Sequence, residues 1–371
     1  MKVLMNAGPW LAVPPAGYGG IENVIATLVP ELRALGVEVV LASVGESTIE
    51  VDGRVSVFER GQFGHIQRPY NQAVGIVQAH QHAVARAVAA GGFDVLHDHV
   101  EAAGLVTAAA LGDGAPPVLH TLHWDLHKHP ELYGNFDGGG RVRVNGVSAS
   151  QLARAPEALR RHSIGHVHLA TPLADRPVPE ISRGSYAVVL GRINPGKGQD
   201  LAARLAHEAG FDLVLAGPVG PYRNPAELAA AEGDRTADGN PDVRFWREKV
   251  SPHVDGTRVR WVGTVTGRDR DLLVAGARAA FFPLRWEEPG GTAVVESLAL
   301  GTPVVGIARG CLPELIDDGV TGLLTTDEEA LGELVHKAGA IDPGACRAAA
   351  ESRFTPAVMA ASYLALYEQL R

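Results

Sequence analysis

Glu288 and Glu296 stand eight positions apart in the stretch Glu288-Pro-Gly-Gly-Thr-Ala-Val-Val-Glu296. The Pro-Gly-Gly turn leads into a helical pattern, so the stretch reads as a loop that opens a helix. A helix begun by glycines leaves backbone N–H groups unpaired, which suits a phosphate or a sugar oxygen. Carboxylates on either side accept hydrogen bonds from hydroxyls. The combination fits a ligand with a diphosphate in the middle and polyols at both ends, as in a nucleotide sugar.

A second cluster is Gly191-Arg-Ile-Asn-Pro-Gly-Lys197-Gly, between a strand pattern and a helix pattern. It nearly spells a P-loop, but Gly198 stands where the Mg²⁺-holding Ser or Thr belongs. Arg192 and Lys197 are instead two cations placed to neutralise a diphosphate without a metal. The loop Gly8–Gly20 is long for a strand–helix connection. Gly19 and Gly20 let backbone approach a ligand closely, although the dinucleotide fingerprint is missing.

Histidines form a third group, with 12 of 15 at or before His168. The alternation of a strand puts His97 and His99 on one face. His120, His123, Asp125, His127 and His129 follow at the end of the next strand. No HExxH occurs and the two cysteines are distant, so no metal site is expected. Strand C-termini in an open α/β sheet face the ligand crevice, so acceptor-binding or acid–base roles are preferred. Solvated loop positions are the plainer reading of His127 and His129. Arg141, Arg143, Arg154, Arg160 and Arg161 are read as a solvated face rather than a membrane contact.

These residues need elements to hold them. At 371 residues, with 46% apolar and 20% charged residues, the chain suits two soluble domains. The net charge of −9 argues against nucleic-acid binding. Cys311 and Cys346 are too few for a disulfide framework. With no signal-peptide or transmembrane pattern, a cytoplasmic location is expected. Strands are expected at 2–7, 37–43, 93–99, 117–122 and 142–148, then at 186–190, 211–216, 258–262, 279–283, 303–307 and 322–325. Helices fall between them, including one from Ile21 kinked by Pro30 and others near 70–90, 226–232 and 242–250. That alternation implies parallel sheets covered on both faces. Thr171–Gly184 reads as a linker. The last helix, about 356–370, is expected to pack back on the first half.

With those residues in place, the chain resembles the retaining glycosyltransferases of family four, which have the GT-B fold. Glu288 to Glu296 resembles the family's E-x7-E motif, followed by Gly301-Thr-Pro-Val-Val. Leu190-Gly-Arg192…Lys197-Gly resembles its diphosphate-binding Arg and Lys. Tyr18-Gly-Gly-Ile-Glu22 resembles its N-terminal glycine loop. Asp94-Val-Leu-His-Asp-His99 and Thr121-Leu-His123 resemble its two acceptor-side histidine strands. The resemblance covers nearly the whole length. It implies two Rossmann-like doubly wound domains facing a central cleft: an acceptor-binding domain 1–172, a nucleotide-sugar-binding domain 173–355, and a crossing-back helix 356–371.

The resemblance also implies roles. Glu288 would hold hydroxyls of the donor sugar, and Glu296 would take the ribose diol. The N–H groups of Gly290, Gly291 and Thr292 would contact sugar and phosphates. Arg192 and Lys197 would stabilise the departing diphosphate, with Gly19 and Gly20 closing over it. His123 would lie near the reacting carbon, with His97, His99 and Asp125 on the acceptor side. Two departures stand out: Gly290 replaces the usual aromatic, giving a flexible turn, and Glu287 adds a carboxylate beside Glu288.

The expected activity is metal-independent, cofactor-free transfer of a sugar from a nucleoside-diphosphate sugar to an acceptor hydroxyl. Double displacement needs a nucleophile on the opposite face, and no compelling carboxylate is present. A front-face route is therefore preferred. A nucleotide-sugar epimerase, a phosphorylase and a non-catalytic nucleotide-sugar-binding protein are the rivals.

Overall fold

The computed structural model describes residues 1–371 except Tyr18, Gln67, Glu232 and Asp234. Tyr18, the first residue of the glycine-loop motif, and Glu232, the end of an expected helix, thus lie outside the described residues. The chain divides into two compact units, Met1–Ala170 with Pro356–Arg371, and Thr171–Thr355.

The first unit is a seven-stranded parallel sheet. Its strands are β1 (Lys2–Asn6), β2 (Glu38–Ala42), β3 (Gly53–Val55), β4 (Val95–Asp98), β5 (Val118–Leu122), β6 (Val142–Gly146) and β7 (Ser163–His166), ordered β3-β2-β1-β4-β5-β6-β7. Strands β1, β2, β4 and β5 are apolar-rich and almost wholly buried, as helices on both faces require. On one face, Ile25, Leu28 and Leu32 of the helix Gly20–Ala34 meet Tyr363, Leu366 and Tyr367 of the C-terminal helix Pro356–Gln369. On the other lie Val84, Val88, Leu105, Tyr133 and Phe136. Pro30 is carried inside a single helix that continues to Ala34.

The second unit holds β8 (Ala187–Leu190), β9 (Leu213–Ala216), β10 (Val259–Gly263), β11 (Ala279–Phe282), β12 (Val304–Ile307) and β13 (Gly322–Thr325), ordered β10-β9-β8-β11-β12-β13. All pairings are parallel. The strand order reverses between β8 and β11, which places a topological switch point there; loops after β8 and β11 flank it. The expected linker is not loose at its start. Leu173 and Ala174 are buried, and Arg347 donates to both of their carbonyls at 2.7 Å.

A polar layer runs through the first unit's core. On one face of the sheet, His120 Nδ1 lies 2.5 Å from Asp98 Oδ2, and Asn6 Nδ2 donates to Asp98 Oδ1 at 2.6 Å. His80 Nε2 donates to Asn6 Oδ1 at 2.7 Å. Gly104 makes room for this group, because a Cβ there would sit 2.2 Å from Asp98 Oδ2.

On the other face His97 and His99 lie with ring centroids 4.0 Å apart. Thr121 gives its one hydroxyl proton to Asn145 Oδ1 at 2.8 Å. It must therefore accept from His97 Nε2, also at 2.8 Å, and His97 Nδ1 must accept from the Tyr367 hydroxyl at 2.7 Å. The C-terminal helix thus closes over His97 and fixes its neutral form.

Burial lowers the pKa of these histidines: His80 to about 4, His97 and His99 well below the ordinary value, and His123 to about 3. In the unfolded chain they titrate near 6.5. Below that value the unfolded chain binds more protons, so stability is full above about pH 6.5 and is lost as pH falls toward the folded values. Buried Glu22, whose pKa is raised by burial, acts in the opposite sense and offsets part of the loss. A buried histidine such as His80 contributes a slope of about 1.4 kcal/mol per pH unit. The melting temperature is expected to drop by on the order of 5 °C between about pH 7.5 and about pH 5.5. A constant melting temperature in a buffer series would show that the histidines are not buried in neutral form.

Candidate functional site

The loop after β8 is built by glycines. At Gly217, just after β9, a Cβ would lie 1.9 Å from the Gly191 carbonyl oxygen of that loop. At Gly198, which has a φ of 69°, it would lie 2.0 Å from the Pro283 carbonyl oxygen. The missing P-loop hydroxyl is thus replaced by a residue that lets two loops touch. Asn194 Oδ1 accepts from the Lys197 amide at 3.2 Å, and the Arg285 amide donates to the Gly196 carbonyl at 2.9 Å.

This zipper delivers Lys197 to Glu288. The ammonium lies 2.5 Å from Glu288 Oε2 and 5.0 Å from the centre of the Trp286 ring. Both side chains are largely but not wholly covered, at 25% and 15% exposure. Each charge offsets the other's desolvation, and the ring adds a cation–π contact.

Of the two neighbouring carboxylates, Glu288 faces Lys197, while Glu287 turns the other way. Glu287 Oε2 accepts from the Gly310 amide at 2.8 Å, and Oε1 lies 3.7 Å from Arg309 Nε. Gly310 packs directly on the Glu288 backbone: a Cβ would lie 2.4 Å from its nitrogen and 2.5 Å from its oxygen. The Cys311 amide then donates to the Glu288 carbonyl at 2.9 Å.

The following turn is packed rather than flexible, which corrects the expectation drawn from Gly290. Gly290 and Gly291 are both buried. Gly291 caps the helix Thr292–Ala299 with a φ of 61°, and a Cβ would lie 2.7 Å from Leu315 Cδ1 and 2.9 Å from Cys311 Sγ. Its carbonyl accepts from the Val294 and Val295 amides. The amides of Thr292 and Ala293 belong to the first turn, which has no intrahelical acceptors, at the positive end of the helix dipole. Thr292 is exposed.

One turn further on, Glu296 meets a cation absent from the sequence expectations. Arg270, on the helix Gly267–Ala275, places Nη1 3.1 Å from Glu296 Oε1 and gives Nε and Nη2 to Asp271 Oδ1. Burial raises the Glu296 pKa, and Arg270 opposes that rise. Arg192 sits exposed on the β8 loop, where its charge opposes the effect of burial on Asp242. Lys197 and Glu288 are thus brought together, while Glu296 has its own cation. A charged run, Arg268-Asp-Arg-Asp271 at a helix start, was the available signal for Arg270.

In the first unit, Gly19 precedes the helix Gly20–Ala34; a Cβ there would lie 2.7 Å from the Pro15 ring. At Gly20 the space is open. The i, i+2 spacing put His97 and His99 on one face, but neither ring is left with a nitrogen for an acceptor. His97 is held as above. His99 Nε2 lies 3.1 Å from Met5 Sδ, and its Nδ1 lies 2.8 Å from His123 Nε2. Both rings are buried, so an acceptor-binding role for them is not supported.

A thioether sulfur has no proton to give, so His99 Nε2 donates to it. His99 Nδ1 must then accept from His123 Nε2–H. His123, half-buried and neutral, therefore offers Nδ1 as a lone pair. Asp125 is exposed, and its Oδ1 accepts from the His127 amide at 3.0 Å and ring at 2.9 Å.

Residues 18–155 match the family model for Glycosyltransferase Family 4, and residues 174–342 match that for Glycosyl transferases group 1. The alpha-maltose-1-phosphate synthase of Mycolicibacterium smegmatis is 28% identical, with 84% of this chain and 81% of that one covered. The D-inositol 3-phosphate glycosyltransferase of a Nocardioides species is 26% identical, with 82% and 74% covered. Among solved structures, sucrose-phosphate synthase from Thermosynechococcus elongatus is similar at a TM-score of 0.75 and 18% identity, covering 100% of this chain and 98% of that one. Anabaena HepE in complex with UDP-glucose has a TM-score of 0.66 at 17% identity, covering 100% of both chains. Those two likenesses are of fold. With two family models spanning most of its length and two parallel Rossmann-like sheets, the chain belongs to the family 4, group 1 glycosyltransferases, retaining enzymes of the GT-B fold.

Proposed function

We propose that this glycosyltransferase moves a sugar from a nucleoside-diphosphate sugar to an acceptor hydroxyl by a metal-independent, front-face reaction. The observation that carries the reading is the Lys197–Glu288 pair at the switch point, beside the open first turn of the helix Thr292–Ala299. Glu288 is assigned to donor-sugar hydroxyls. Lys197, Arg192 and the helix amides are assigned to the diphosphate, and Glu296 to the ribose. Gly19 and Gly20 are assigned to the phosphates and Asp125 to the acceptor side, on the family resemblance.

In the step envisaged, the anomeric C–O bond breaks and its electron pair stays on the phosphate oxygen. The acceptor oxygen bonds to the anomeric carbon on the same face, and its proton passes to the departing diphosphate. Fixed cations and dipoles stabilise the charge that develops on that group. His123 offers a neutral Nδ1, so its assigned part is to accept a hydrogen bond from a substrate hydroxyl, not to supply a positive charge.

UDP-glucose, the ligand in the HepE complex, is the first donor to test, beside GDP- and ADP-sugars. Phosphorylated polyols are the first acceptors, after the relatives' names. Nucleoside-diphosphate release is expected only with acceptor present and is expected to survive EDTA. Loss of activity on chelation overturns the metal-independent reading. Donor isomerised without acceptor, seen by NMR, marks an epimerase; donor bound but never consumed marks a binding protein.

Glu288→Gln is expected to lower kcat by about 10²–10³ with little change in donor affinity. Glu296→Gln should raise donor KM by about tenfold and leave kcat nearly intact. Steady-state kinetics showing equal effects for both variants would contradict the division of labour.

His123→Ala is expected to spare donor binding, measured calorimetrically, and to slow transfer by on the order of 10². A normal transfer rate would remove His123 from the site.

A further inference from the structure

Of the two glutamates Glu288 and Glu296, Glu296 takes its cation from an element outside the motifs described above. Its side chain is 21% exposed, and Arg270 and Asp271 beside it are 28% and 19% exposed. The guanidinium is shared between two acids: Nη1 goes to Glu296 Oε1, and Nε and Nη2 go to Asp271 Oδ1. Both contacts use the fixed fork of arginine, so Asp271 sets the rotation of the guanidinium and the guanidinium sets the carboxylate. Glu296 Oε1 is thereby taken by a donor, and Oε2 is the oxygen not engaged by Arg270.

A carboxylate that must recognise hydroxyls has two requirements. It has to remain ionised in a covered position, and it has to be held so that its lone pairs do not wander. Burial works against the first; the adjacent guanidinium, 3.1 Å from Oε1, opposes it. A free rotor would work against the second; the Arg270 contact removes that freedom.

We propose that Arg270, held by Asp271, is a positioning residue for ribose recognition, acting through Glu296. The inference rests on Glu296 being the ribose-side carboxylate. It adds that discrimination between a ribose and a ring lacking its hydroxyls depends on a residue of the helix Gly267–Ala275. Arg270 does not itself touch the sugar or the reacting atoms.

The test is calorimetric titration of the full chain with UDP, GDP and ADP, and with the 2′,3′-dideoxy counterpart of each. The wild-type chain is expected to bind its preferred ribonucleotide about tenfold or more tightly than the dideoxy form, since hydrogen bonds to a charged group are at stake. In Arg270→Gln that ratio should fall to near one, through weaker binding of the ribonucleotide and little change for the dideoxy form. Asp271→Asn should lower the ratio in the same direction by less. Arg270→Lys, which keeps the charge without the fork, should also lower it, and carries the test if Arg270→Gln melts below the assay temperature.

A wild-type ratio retained in Arg270→Gln or, failing that, in Arg270→Lys overturns the inference and leaves the donor-site reading intact. Equal weakening of both ligands also overturns it, because a merely structural or phosphate-directed role moves both. A wild-type chain that binds diphosphates without distinguishing the dideoxy forms removes the ribose assignment and the inference with it. A wild-type chain that binds none of the diphosphates overturns the donor-site reading itself.

Discussion

Backbone pressed against backbone is the constraint on which the second unit's site depends. Gly198 lies on the Pro283 carbonyl, Gly217 on the Gly191 carbonyl, and Gly310 on both polar backbone atoms of Glu288. At none of the three would a Cβ fit, and two of them, Gly198 and Gly310, also have positive φ. Such approaches let loops from β8, β9, β11 and β12 pack closely, so Lys197 can reach Glu288 across the switch point. Glycine's conformational freedom is normally a destabilising trait. Here it is the condition for bringing two opposite charges within 2.5 Å on separate loops.

The first unit solves a different problem. Parallel strands with both faces covered favour apolar residues, yet this sheet carries Asn6, His97, Asp98, His99, His120 and Thr121 at buried positions near its strand ends. Buried polar groups are tolerable when hydrogen-bonded. The structure meets most of that demand by distributing partners across elements: His80 from one helix, Tyr363 and Tyr367 from the C-terminal helix, and Met5 from β1, while His120 Nε2 has no partner among the described residues. A consequence is directional. The Met5–His99–His123 sequence of contacts fixes which nitrogen of His123 carries hydrogen, so a core thioether sets the hydrogen-bonding character of a half-buried ring.

How much of this was legible in the sequence depends on distance along the chain. The alternation of strands and helices, the helix opened by Gly291, and Lys197 on the loop after β8 are local features with local signals. Strands β3 and β7 gave no clear pattern, because they are short edge strands with half-exposed residues. The shared face of His97 and His99 followed from strand pleating, but what covers that face did not. Its cover is Tyr367, 270 positions away. Arg270 escaped for the same reason: a charged run at a helix start has many solvated counterparts, and only the packing of that helix on the next shows its partner. The stretch from Thr171 looked like a linker from its prolines; the Arg347 guanidinium that anchors it lies 173 and 174 positions further on.

The two glutamates of the motif end in unlike environments, and that difference is informative. Glu288 is paired with a lysine, a single-point cation on a flexible stem that can swing toward a new anion. Glu296 is paired with an arginine fork that is itself held by Asp271. On the proposed assignments, a ligand that brings a diphosphate would compete for Lys197 and release Glu288 to take hydroxyls, so that pair is suited to exchange. The Glu296 assembly carries two acids and one base, and its cation already gives three of its five N–H groups to those acids. On the proposed assignments, an incoming phosphate would meet two acids there, whereas hydroxyls would find a carboxylate oxygen held ready. The same residue type, eight positions apart, thus meets two unlike cations, and the proposed tasks follow that difference: a flexible lysine where charge would be handed over, and a locked arginine where shape would be read.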